Sequence, residues 1–165
     1  MKSFKEMGGV DLIIIDPIVS VVTGDSHKNA EVRRALQPIV EMARDLGAAV
    51  LGVTHFSKGS HGRDPAERTV GSVAFGAVAR VVMVTAKCES GERILARAKS
   101  NLGKDSGGFT YHLCQTALSS DLEVSKVVWG EVLDASAREL LGKADSVKDL
   151  AVDEASRWLK QMLEA

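Results

Sequence analysis

The 165-residue chain has few of the features that assign a protein to a class at a glance. Its two cysteines, Cys88 and Cys114, have no CxxC spacing and no zinc-type histidine partner. This excludes a zinc ribbon or a disulfide framework and predicts buried thiols in a reducing compartment. No apolar run approaches the length of a membrane span. The opening Met1-Lys-Ser-Phe-Lys-Glu6 lacks the apolar stretch of a signal peptide, so a cytoplasmic protein without a membrane partner is expected. HxH and HExxH spacings are missing, and no internal repeat is visible. A net charge of -1 gives no support to a nucleic-acid coat protein, although it says nothing about a local basic patch. What is present, 45% hydrophobic and 26% charged residues over one domain's length, is enough for a real core.

The most informative segment is Gly9-Val-Asp-Leu-Ile-Ile-Ile-Asp16-Pro17. The unbroken apolar run Leu12 to Ile15 predicts a central parallel strand covered on both faces, and Pro17 stops it. Asp16 then lies at the strand's carboxyl end. In open α/β sheets that edge borders the ligand crevice, and a carboxylate there is suited to a magnesium ion beside a nucleotide phosphate. The plainer alternative is a carboxylate that only starts a turn. A polar loop at 23–29 leads into a helix over 30–46, with Val32, Ala35, Leu36, Ile39, Val40 and Ala43 on one face. Pro38 predicts a kink in this helix, and Gly47 predicts its end. Ala48 to Val53 reads as a second buried strand, which completes a crossover that demands a parallel sheet. His55, Ser57 and Lys58 follow it directly and should emerge at the same edge as Asp16.

Beyond this point crossover units give way to hairpins. A short helix within 71–78 precedes strands at 79–85 and 93–99, joined through a turn at 89–92. Further strands are expected at 109–114 and 124–129, and helices at 134–141 and 146–163. The last helix carries a stripe of Val147, Leu150, Ala151, Ala155, Trp158, Leu159 and Met162. The expected fold class is α/β, a mostly parallel sheet flanked by helices, with antiparallel hairpin strands toward the carboxyl terminus.

The ordered strings GGVDLIIIDP at 8–17, GVTHFSK at 52–58, RTVGS at 68–72 and KSNLG at 99–103 resemble the ATPase core of RepA-like replicative helicases, which belong to the RecA-like superfamily of ring-forming ATPases. VVWGE at 127–131, LLG at 140–142 and the ending RWLKQML are similar to the tail of that module, so the likeness covers nearly the whole chain. It implies a partial RecA-like core over 1–133 and a helical extension over 134–165. The implied cofactors are ATP and Mg2+, and the implied setting is DNA replication in a homo-oligomer. Asp16 matches the Walker B aspartate that holds the metal. His55 matches a polar sensor of the terminal phosphate, with Ser57 beside it. Lys58, Arg63 and Arg68 fall where ring helicases face single-stranded DNA; an ordinary solvated basic loop is the alternative.

Lys99 matches the lysine of a Lys-x-Arg finger that stabilises charge on a neighbouring subunit's phosphate, but Asn101 stands where the arginine would be, and Arg97 is a candidate substitute. A larger departure is that no GxxxxGK[ST] string occurs to cradle phosphates, and no catalytic glutamate matches. The expectation is therefore either a fragment of a larger ATPase or a stand-alone remnant, inactive alone in both cases. One competing reading is a non-catalytic DNA-binding or assembly module. Another is a metal-dependent hydrolase built on Asp16, Asp25, His27, His55 and His61, which the missing ligand spacings disfavour. An unpaired edge beside the first strand predicts a dimer or higher oligomer.

Overall fold

Leu12–Ile15 forms strand β1 and Ala49–Gly52 forms strand β2. They pair in parallel, Leu12 with Ala49 through Ile15 with Gly52, around the crossover helix α1, Asn29–Leu46. The computed structural model describes residues 9–56, 64–68, 73–88, 91–119, 122–142, 156–157 and 159–162. These fall into two compact units. The first holds the described residues up to Phe56 and those of Glu67–Ala79; the second holds Asp64–Ala66 and what is described from Arg80 onward.

In the first unit a 3-10 turn, Ile18–Val21, follows β1, and a short helix α2, Ala74–Val78, packs with α1. Ile18, Val32, Leu36, Ala74 and Phe75 make its buried core, with Ile15, Val19, Val21, Val22 and Ile39 packed against it. Pro38 removes one backbone donor, yet α1 runs from Asn29 to Leu46 as one helix, because its buried positions Val32, Leu36 and Ala43 anchor both sides of the proline. Gly47 ends the helix in the left-handed region at φ 68°, where its N–H reaches back to the carbonyls of Ala43 and Arg44.

The core lies on one side of β1 and β2, which corrects the expectation of strands buried on both faces. The register places Leu12, Ile14, Ala49 and Leu51 on a common outer face. There Leu12 is 52% exposed and Ile14 61% exposed. The strand and its direction are as the apolar run requires, but an apolar run does not bring its own cover.

The second unit is an antiparallel sheet in sequential order: β3, Val81–Lys87; β4, Arg93–Ser100; β5, Gly108–Ser119; and β6, Leu122–Leu133. Helices and strands are both present, as an α/β chain requires, but the expected mostly parallel sheet is corrected: among the described residues the parallel sheet has two strands and a separate antiparallel sheet has four, because the later strands are joined by hairpins and not by crossovers. β4 pairs with β5 only from Gly108 to Tyr111, whereas β5 and β6 stay paired out to Ser119 and Leu122. The last hairpin therefore extends well past β4. It is longer than the short strands expected at 109–114 and 124–129, since cross-strand pairing carries the alternation through weaker strand formers such as Gln115 and Ser125.

One face of this sheet is internal. Val84, Ile94, Ala96 and Thr110 are buried, and a third helix, α3, at 137–142, buries Ala137, Leu140 and Leu141. Helix α3 starts later than the expected 134 because Ser136 and Glu139 form a capping box, the Glu139 N–H donating to Ser136 Oγ and the Ser136 N–H to Glu139 Oε2. Of the expected helix over 146–163, 156–157 and 159–162 are helical and the remainder lies outside the described residues. The cysteine expectation is corrected: Cys88 is half-buried, with its thiol pushed up by burial and by the Glu92 carboxylate, but Cys114 is exposed on β5. Among the described residues no helix is long and apolar enough to cross a membrane.

Candidate functional site

Two strands in parallel register end at one edge, and that edge carries the candidate site. Ile15 pairs with Gly52, so Asp16 and Val53 are the first residues past the ladder. The exit is stitched on both sides, because the Val53 N–H donates to the Ile15 carbonyl at 2.9 Å and the Ile18 N–H to the Val53 carbonyl at 2.8 Å. Asp16 lies in the turn between them, joined to Pro17 by a cis peptide bond, and its side chain is exposed. His55 leaves β2 two residues beyond Val53 and is also exposed. Gly52 suits the close crossing: a Cβ there would lie 3.0 Å from the Ile18 side chain, which would have to shift by a few tenths of an ångström.

The remaining expected site residues are distributed differently. Ser57, Lys58 and Arg63 lie outside the described residues. Arg68 is 4% exposed, its guanidinium 4.4 Å from the centre of the Phe56 ring. That corrects its expected role as an open DNA contact: a buried cation stacked on an aromatic face braces the chain just after β2. Lys99 and Arg97 belong to β4 in the second unit, whereas Asp16 and His55 belong to the first. Arg97 Nη1 donates to the Lys104 carbonyl at 2.7 Å and holds the following loop. The same loop is tightened by Ser100 Oγ, which accepts from the N–H groups of Leu102 and Gly103. The KSNLG string is thus a stitched turn at the end of β4.

Ahead of α1, where the sequence predicts a polar loop, a polar knot forms. The Asp25 N–H donates to Glu31 Oε2 at 2.6 Å, Lys28 Nζ is 3.3 Å from Glu31 Oε1, and the His27 N–H donates to Asp25 Oδ1. The Asp25 amide, and then Lys28, hold the Glu31 carboxyl below its usual range. A depression beside the knot is lined by Thr23, Gly24, Glu31, Arg34 and Ala35.

Residues 1–61 match the family model described as an AAA domain. That AAA match contains β1, α1 and β2 and both residues of the edge, Asp16 and His55, and it ends before the second unit's sheet. No curated protein and no solved structure matches the chain. A magnesium ion fits the edge in one mode only. Among the described residues no three His, Cys, Asp or Glu side chains are close enough to hold a metal, so an ion held by Asp16 would have to take its other ligands from phosphate and water. Magnesium is commonly bound that way, whereas a closed all-protein centre needs more ligands than the described residues bring together.

Proposed function

We propose that the edge formed by Asp16 and His55 is the magnesium side of an ATP site in a RecA-like ring ATPase of the RepA-like replicative helicase type. The observation that carries this reading is the in-register pair of parallel strands with Asp16 directly after one and His55 three residues after the other, inside the span that matches the AAA domain. Bound Mg2+ would neutralise charge on the transferring phosphate. Asp16 supplies the hard oxygen that holds it, and His55 supplies a ring nitrogen to hydrogen-bond the terminal phosphate. Lys99 as a residue acting on a neighbouring subunit, homo-oligomeric assembly, and DNA contacts from Lys58 and Arg63 belong to the same reading.

The 165 residues contain no GxxxxGK[ST] string, so they supply no phosphate cradle of that type. The purified chain is therefore expected to bind a fluorescent ATP analogue weakly, in a magnesium-dependent way, and to hydrolyse ATP negligibly. Asp16→Ala should weaken that binding about tenfold, the loss of one charged ligand. Binding indifferent to both magnesium and Asp16→Ala would sink the assignment, and robust turnover by the chain alone would sink the claim of inactivity. The missing cradle also favours a second reading, a non-catalytic DNA-binding or assembly module on the same fold. Retention of DNA without nucleotide, lost on neutralising Lys58 and Arg63 and steeply salt-dependent, would support it.

A further inference from the structure

The face of the β3–β6 sheet opposite the buried Val84, Ile94, Ala96 and Thr110 carries aromatic and basic side chains in register. Phe109 and Tyr111 are two residues apart on β5 and so share this face, and Tyr111 pairs with Trp129 on β6. The Trp129 ring centre lies 6.0 Å from that of Phe109 and 5.9 Å from that of Tyr111, with planes inclined at 64° and 60°. In such edge-to-face contacts the edge of one ring meets the face of the other, so each contact engages at most one face of one ring and leaves the other faces of the row for a base. Trp129 is 59% exposed and Phe109 41% exposed. Next to this row the register sets Arg93 opposite Tyr111 and Lys87 opposite Arg93. Glu123, the carboxylate that shares this face by register, is far along the hairpin opposite Ala117.

We propose that this open sheet face binds single-stranded nucleic acid, its bases stacking on Trp129, Tyr111 and Phe109 and its phosphates meeting Arg93 and Lys87. Aromatic rings interleaved with cations are the two elements of a sequence-tolerant single-strand site, one for the π face of any base and one for the backbone. A duplex does not fit the same chemistry, because its base faces are already stacked within the helix. The charge on the near part of the face is positive while the whole chain carries -1, so the attraction is local to this sheet. The proposal does not depend on the ATP site, and none of its residues belongs to that site.

The test uses the full chain with Trp158→Phe, which leaves Trp129 as the reporter, since the chain has two tryptophans. Titration with an oligothymidylate should quench Trp129 fluorescence, and a duplex of equal length should do so far less. In anisotropy with the labelled oligothymidylate, Trp129→Ala should weaken binding about tenfold or more. Arg93→Gln should reduce the slope of log affinity against log salt by about 0.7. Asp16→Ala should leave this binding unchanged, which separates it from the ATP reading. Binding without quenching, equal preference for duplex, or loss of binding in Asp16→Ala would overturn the assignment to this face. So would a change of oligomeric state in Trp129→Ala with no change in affinity, which would assign the face to a second copy of the chain.

Discussion

At the residue scale, Glu31 shows how a side chain that looks like an ordinary helix-face acid acquires a local task. Its carboxylate accepts the Asp25 N–H and lies beside Lys28, and both interactions favour the charged form. Its folded-state pKa is thus below the ordinary 4.5, so it contributes stability above that value and loses the contribution as pH falls through the lowered one. Glu31→Gln is expected to lower Tm at neutral pH, with the difference from the parent shrinking to nothing in acid; thermal melts across pH 3–7 check this. The sequence shows Asp25, Lys28 and Glu31 at helix-start spacing, but not that the Glu31 side chain reaches back six residues. Arg68 teaches the converse lesson. Its polar surroundings in sequence point outward, and the ring of Phe56 takes it inside.

At the element scale, the strands and helices follow from local pattern, and their extents follow from neighbours. α1 and its glycine stop are legible because amphipathic period and C-terminal glycine act within a few residues. The length of β5 and β6 is not, since it depends on each strand having the other to pair with. Close approach between strands is equally invisible to local pattern. A Cβ at Gly108 would collide with the Leu95 carbonyl and the Ala96 backbone of β4, neither of which can move aside as a flexible side chain would. Gly108→Ala should therefore destabilise the chain by about 1–3 kcal/mol in urea melts, more than an exposed strand glycine replaced at an open position.

At the scale of the whole molecule, each unit presents an apolar or aromatic sheet face to solvent. In the first, Leu12, Ile14 and Leu51 expose side chains that a covered parallel strand would bury. Such a face favours association, in keeping with the oligomer proposed for the ATPase reading. Light scattering during size exclusion should show the chain as a dimer or larger, and Ile14→Glu should shift it toward monomer. A parent chain that stays monomeric across concentrations counts against that expectation. The candidate site divides the same way: Asp16 and His55 belong to the first unit, within the AAA match, and Lys99 to the second.

By itself the sequence determined the α/β class, the parallel direction of β1 and β2, and the place of Asp16 and His55 at their shared edge. Each of these follows from short-range rules: an apolar run, a crossover helix of sufficient length, and polar residues directly after a strand. Tertiary structure alone decided that β1 is covered on one face, that Arg68 is interior, and that Arg97 bonds a loop carbonyl. It also decided that Phe109, Tyr111 and Trp129 form one row beside Arg93. The reason is the same in every case: burial and cross-strand register depend on what lies across the gap, and residues far apart in the chain supply it.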